Sequence, residues 1–214
     1  MKELITSHKV CEQNFLLLPQ KVIYWEEKKT LILGDLHLGK ASHFRKSGIP
    51  ISEMVHSKDV LVIDKLIKAH RPERIIFLGD LFHSDYNQSW EPFKRWMEEK
   101  KDLYFQLILG NHDILSPDKY RVKNLEILES LEEDPFTFTH EPTETNNYNI
   151  AGHIHPAIRM RGRGRQSVKL PCFYFNSERC ILPAFGAFTG TAALKVQKED
   201  IIFAIAENQV IKVS

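Results

Sequence analysis

Cysteine is scarce in this chain: Cys11, Cys172 and Cys180 are the three in 214 residues. They are odd in number and lack metal or disulfide spacing. That excludes a disulfide scaffold and a thiolate zinc site, and it fits a reducing compartment, so a cytoplasmic location is expected. Long apolar runs are also missing. No stretch reaches membrane-spanning length, and Met1 to Val10 has no apolar signal core, so neither a span nor secretion is expected. Charge of one sign is absent too. Lys and Arg number 29 against 28 Asp and Glu, a net charge of +1 that is silent about partners. There are no repeats and no low-complexity linkers. Residues 1–214 therefore read as a single domain, long enough to bury a substantial core.

What is present is concentrated in five short blocks: Asp35-Leu36-His37, Gly79-Asp80, Gly110-Asn111-His112-Asp113, Thr139-His140 and Gly152-His153-Ile154-His155. They supply two carboxylates, an amide and four imidazoles able to bind metal, with one imidazole left over. That is an inventory for two divalent metals sharing a carboxylate, and oxygen and imidazole donors without sulfur suit Mn, Fe or Zn. Each block follows a short apolar run: Thr30 to Leu33, Arg74 to Leu78, Leu103 to Leu109, Phe136 to Phe138 and Tyr148 to Ala151. Such runs read as buried strands. The polar blocks thus sit where strands stop, the edge at which open α/β sheets bind ligands. Any one block alone is an ordinary turn; five in this order are not.

Between the strands, Ser52 to Ala69 roughly fits a half-buried crossover helix. A second helix is expected from Ser89, as cap, through Lys100, with Trp90, Phe93, Trp96 and Met97 on its core face. Phe15 to Trp25 reads as an entering β unit. Val168 to Phe175, Cys180 to Pro183, Asp200 to Ala206 and Val210 to Val213 read as closing strands.

The five blocks in this order resemble the calcineurin-like metallophosphoesterase superfamily, over a stretch from about Gly34 to His155. A narrower likeness, to the bacterial ligase-associated DNA damage response endonuclease PdeM family, rests on four segments. They are Gly34 to Ala41 with His43-Phe44-Arg45 and Gly48-Ile49-Pro50; Gly79 to Ser84; Gly152 to Pro156; and Leu182 to Gly190. The resemblance implies a four-layer α-β-β-α sandwich with two mixed β-sheets. It implies one metal on Asp35, His37, Asp80 and His155, and a second on Asp80, Asn111, His140 and His153, with Asp80 bridging. Two divalent ions, manganese foremost with iron or zinc as alternatives, would serve attack on phosphorus by a metal-bound hydroxide. His112 would be the general acid, oriented by Asp113 or another carboxylate. The implied substrate is a phosphodiester, DNA in repair, with DNA ligase and helicase repair proteins as associates. A hydrolase of nucleotides or other small phosphoesters is the alternative. A binding scaffold with a vestigial site is disfavoured by the full ligand set. One departure stands out: Glu141-Pro142 follows His140 where Gly is commonest.

Arg45 and His83 are candidate substrate contacts near the ligands, as are, more weakly, Lys40, His43 and Ser84. Arg159, Arg161, Arg163 and Arg165, with Lys169 beyond, form a run free of acids directly after the last block. Such a run is a solvated loop or a track for a nucleic-acid backbone. The acidic stretch Glu126 to Asp134 would cancel it if the two packed together.

Overall fold

The computed structural model describes residues 4–39, 54–82, 89–115, 117–162, 166–187 and 189–214. Hydrophobic alternation builds the first sheet. A meander of four antiparallel strands, β1 (Thr6–Val10), β2 (Gln13–Leu18), β3 (Val22–Trp25) and β4 (Thr30–Leu33), is extended in parallel by β5 (Arg74–Leu78), β6 (Tyr104–Ile108) and β7 (Leu125–Leu128). The strands alternate their faces with the period of two that a pleated backbone imposes. Leu31, Leu33, Ile75, Phe77, Phe105 and Leu107 point to one core; Ile32, Ile76, Leu78 and Ile108 point to the other.

Two helices cover the first of these faces. Helix α1 (Met54–His70) brings Ile63 and Leu66, and α2 (Trp90–Glu99) brings Trp90, Phe93, Trp96 and Met97. The aromatics expected on one face of the second helix are therefore core. Ser89 holds the cap position but has helical torsions, φ −81° and ψ −17°. The expected start of the first helix at Ser52 lies outside the described residues. No helix among the described residues is long and apolar enough to cross a membrane.

The opposite face of the first sheet meets the second sheet. Its strands are β8 (Leu131–Glu133), β9 (Phe136–Thr139), β10 (Tyr148–Ala151), β11 (Pro156–Arg161), β12 (Ser167–Phe175), β13 (Arg179–Ile181), β14 (Ala192–Ala193), β15 (Ile201–Ala206) and β16 (Gln209–Lys212). The order is β14-β11-β12-β13-β10-β9-β8, with β15 and β16 branching from β12. Phe136, Phe138, Ile150, Phe173, Phe175 and Phe203 fill the space between the sheets, with Phe15 and Trp25 from the first. This is the mixed α/β sandwich of two sheets that the sequence led us to expect. Strands β1, β7, β8, β14 and β11 are additions to the expected set. The last of these runs through the first part of the arginine run, so Arg159 and Arg161 stand on a strand rather than in a loop.

Register brings the strand ends level. Leu33 lies opposite Phe77 and Leu78 opposite Ile108, while Ala151 lies between Thr139 and Ile181. The turns that follow these strands share one edge.

Ile76 is fully buried between the two sheets, whereas Leu61 on α1 is 55% exposed. Ile76→Ala is expected to lower stability by about 2–5 kcal/mol, and Leu61→Ala by less than about 0.5 kcal/mol. Urea unfolding of both variants checks this; equal losses would place the core elsewhere.

Candidate metal centre

Two ligand sets assemble at the shared edge. Asp35, His37 and His155 form one; Asp80, His140 and His153 form the other. Asp80 stands between them. Its Oδ2 lies 3.6 Å from His37 Nε2 and its Oδ1 lies 3.4 Å from His140 Nε2. Asn111 Oδ1 is 3.1 Å from His140 Nε2, and His153 Nδ1 is 3.1 Å from the same nitrogen. Asp35 Oδ1 is 3.0 Å from His155 Nε2. All seven residues expected as ligands are thus brought together.

The first sheet delivers Asp35, His37, Asp80 and Asn111; the second delivers His140, His153 and His155. The first sheet's ladder continues into the loops: Asp35 N–H donates to Gly79 O, and His37 N–H to Asp80 O. Between the sheets, His153 N–H donates to Asp35 Oδ2 at 3.1 Å. The segment after β13 closes the edge, since Phe185 N–H donates to Gly34 O and Gly186 N–H to Asp35 O. The long Leu182 to Gly190 motif therefore holds the backbone of the first ligand loop. Burial pushes the Asp59 carboxyl of α1 up to about 6, against the pull of Lys21 and a backbone hydrogen bond from Ala187.

The backbone at the ligands is unusual. Asp35, His37, Asp80, His153 and His155 all have positive φ, between 48° and 64°. Each such conformation costs a residue bearing a Cβ about 1–2 kcal/mol. The glycines beside them answer a second demand, close approach. A Cβ on Gly79, itself at φ +74°, would lie 2.2 Å from His140 Nδ1; one on Gly110 would lie 2.4 Å from Asp80 N.

Proton positions follow from partners. His140 Nδ1 is 2.8 Å from Leu78 O, a carbonyl that can only accept. Nδ1 therefore carries the proton, and Nε2, which faces the oxygens of Asp80 and Asn111 and the Nδ1 of His153, is left with its lone pair for a cation. The sequence gives no sign of this backbone acceptor. Glu141, the departure noted above, lies on the rim with Oε1 3.9 Å from His153 Nε2.

The residues fit divalent cations. Asp35 is fully buried and Asp80 is 3% exposed. Asp35 Oδ1 and His155 Nε2 are close, yet neither atom makes a hydrogen bond. Two buried polar atoms aimed at each other without a proton geometry are what a shared cation would satisfy.

His112 stands outside both sets. Its ring centroid is 5.5 Å from that of His37, and its N–H donates to Asp80 Oδ1 at 3.0 Å. Asp113 accepts from Phe82 N–H at 3.1 Å and Gly110 N–H at 2.9 Å, tying together the loops after β5 and β6. Burial first, then the nearby Asp80 charge, raises its carboxyl to about 6 against those hydrogen bonds. Arg159 and Arg161 lie on β11; Arg45, His83, Arg163, Arg165, Lys40, His43 and Ser84 lie outside the described residues.

The profile of a family described as calcineurin-like phosphoesterase matches residues 28–176. The crystal structure of Pseudomonas putida nuclease MPE is similar over 98% of this chain and 100% of that one, with a TM-score of 0.83 and 28% identity. A phosphoesterase from E. coli, Yfce, aligns over 86% of this chain and 97% of that one, with a TM-score of 0.44 and 15% identity. No curated protein sequence matches.

Gly79→Ala is expected to displace the His140 ring and lose metal from its set while leaving the fold intact. Metal analysis after dialysis should fall by about one ion per chain relative to wild type. Unchanged stoichiometry would show that the close approach at Gly79 is not needed.

Proposed function

Because the chain belongs to the calcineurin-like phosphoesterase family, we propose that its two ligand sets act together to cleave phosphodiesters, with DNA as the polymer substrate. The enzyme is a metal-dependent phosphoester hydrolase. The carrying observation is Asp80, with one carboxylate oxygen toward each set. Asp35, His37, Asp80 and His155 would hold one ion, and Asp80, Asn111, His140 and His153 the other. A pair of divalent ions supplies a nucleophile from water at neutral pH and neutralises charge on the phosphoryl oxygens.

The chain's own residues do the rest. His140 presents Nε2 because Leu78 O holds its Nδ1 proton. Asp80 fixes the His112 backbone, and Asp113 fixes the loop that carries Asn111 and His112. The His112 ring gives its proton to the leaving oxygen. Because both sheets contribute ligands, residues 1–214 act in this proposal as one domain. Likeness to a protein described as a nuclease supports a nucleic-acid substrate. Manganese is proposed as the working metal on the oxygen and imidazole donor set. Reaction in the cytoplasm rests on the cysteine usage; a role in DNA repair and association with ligase and helicase repair proteins rest on the sequence resemblance alone. Arg45 and His83 are proposed to touch the phosphate because they follow the first two ligand blocks closely in sequence.

The test is the manganese-reconstituted protein assayed on single-stranded DNA, double-stranded DNA, bis-p-nitrophenyl phosphate and p-nitrophenyl phosphate. Cleavage of DNA and of the diester is expected to exceed that of the monoester. A preference for the monoester, with DNA left intact, would overturn the reading.

Asp80→Asn should leave no more than one ion per chain and lower activity by orders of magnitude; two retained ions would refute the bridge. General acid help is worth about 10²–10⁴-fold. His112→Ala should therefore lose a factor of that order on DNA, whose leaving alkoxide needs a proton. It should lose much less on bis-p-nitrophenyl phosphate, whose leaving phenolate does not. Equal losses on the two substrates would remove His112 from that role.

A further inference from the structure

The β11–β12 hairpin differs in charge and in position from everything around the metal centre. Tyr174 of β12 pairs with Ile181 of β13, which is level with Ala151 of β10. Strand β10 ends there, and His153 and His155 follow. Strand β12 runs antiparallel to β13, so its residues before Tyr174 lie beyond that level, on the metal side. At about 3.3 Å per residue, Lys169 stands roughly 17 Å past the strand ends and Ser167 roughly 23 Å past them. The hairpin overhangs the edge that carries the ligands.

Its faces are segregated. Arg159 lies directly opposite Lys169, and Arg161 opposite Ser167, so Arg159, Arg161 and Lys169 share one face. Ile158, Met160, Val168 and Leu170 take the other. Like charges directly opposed across a ladder destabilise it. Among the described residues, none of the three cations makes an ion pair with an acid. Lys169 Nζ donates to Thr191 O, which keeps it on the basic face. The acidic segment Glu126 to Asp134 is elsewhere: Glu133 pairs with Arg74 and Lys28, and β8 lies at the other end of the sheet.

We propose that the β11–β12 hairpin is an arm that grips the backbone of a nucleic-acid strand several nucleotides away from the scissile phosphate, and so sets a minimum substrate length. This rests on the phosphodiesterase reading above. Along β11, Arg159 is about 13 Å and Arg161 about 20 Å from His155. One strand of a helical nucleic acid carries a phosphate about every 3.4 Å of axis. The phosphates of a strand wind around that axis and so lie farther apart than this rise, which places both arginines more than one phosphate step from the one being cleaved.

The test compares wild type with a triple variant, Arg159→Thr, Arg161→Thr and Lys169→Thr, which keeps β-forming residues on the ladder. A second variant, Arg159→Lys, Arg161→Lys and Lys169→Arg, keeps the charge. The readout is the ratio of kcat/KM on a 12-nucleotide strand to that on a dinucleotide, across a salt series, with circular dichroism to confirm folding. The two arginines, as single-strand phosphate contacts, contribute about 1.4 to the slope of log affinity against log salt. Raising salt from about 50 to 200 mM should thus reduce the wild-type ratio roughly 7-fold more than that of the threonine variant. The charge-preserving variant should follow wild type. If the threonine variant matches wild type at every salt concentration, the arm does not touch the strand. If the charge-preserving variant falls with the threonine variant, the side chains serve packing, and the proposal is overturned. Fluorescence anisotropy of a labelled 12-nucleotide strand gives the same comparison without cleavage. An inactive wild type would thus defeat the phosphodiesterase reading while the arm was still judged by binding.

Discussion

Two buried carboxylates govern this molecule. Asp35 and Asp80 lie in the seam between the sheets, and among the described residues no lysine or arginine pairs with either. An ionised carboxylate taken out of water costs several kcal/mol even after the protein relaxes. The imidazoles around them supply positive charge only when both ring nitrogens carry protons. What remains is a geometry that holds anions together without enough cations. Divalent metal ions would resolve that imbalance: they would supply the charge, accept the lone pairs and give Asp35 Oδ1 and His155 Nε2 a common partner. On this view the metals belong to the stability of the seam as much as to its chemistry, since ligand binding to the native state alone is folding free energy.

The same seam concentrates backbone strain. Five ligands with positive φ, at about 1–2 kcal/mol each, represent a sum comparable to the whole stability of an ordinary domain, about 5–15 kcal/mol. Such a cost persists only where the surroundings over-determine the conformation. Here they do. The first sheet's hydrogen-bond ladder continues past its last regular residues, through Asp35 to Gly79 and His37 to Asp80. The segment after β13 adds bonds from Phe185 and Gly186, and Asp113 clamps two loops through its buried carboxylate. The left-handed turns swing each side chain off the strand direction and inward, so that ligands from two different sheets reach one place.

Much of this was legible in the sequence because strand ends announce themselves. Apolar runs such as Arg74-Ile75-Ile76-Phe77-Leu78, stopped by Gly79, fix both the element and the place where a polar side chain can emerge. The candidate ligands stand at those same strand ends. Other features were hidden by physics that acts only in three dimensions. The alternation Ala157-Ile158-Arg159-Met160-Arg161 has the period of a strand, but its charge resembles a loop until β12 is seen to pair with it. The acidic segment conceals β7 and β8 in the same way, because Glu126 and Glu133 find hydrogen-bonding and ionic partners contributed by distant strands. Asp113 accepts from backbone N–H groups that no linear reading could place beside it.

The near-zero net charge conceals a strong separation of charge. Acids of β8 sit at one end of the second sheet, where Arg74 and Lys28 neutralise Glu133. Basic residues of β11 and β12 sit toward the other end, without acidic partners among the described residues. The candidate ligands His153 and His155, in the turn after β10, lie between them. A polyanion approaching this edge meets an uncompensated basic strip on one flank and a neutralised acidic one on the other. Its path is biased toward the strip before any contact with the ligands is made, and that bias weakens with ionic strength. Composition sums over the two flanks and reports almost nothing; the order of strands in the sheet restores the difference, and with it a direction along which a long substrate would lie.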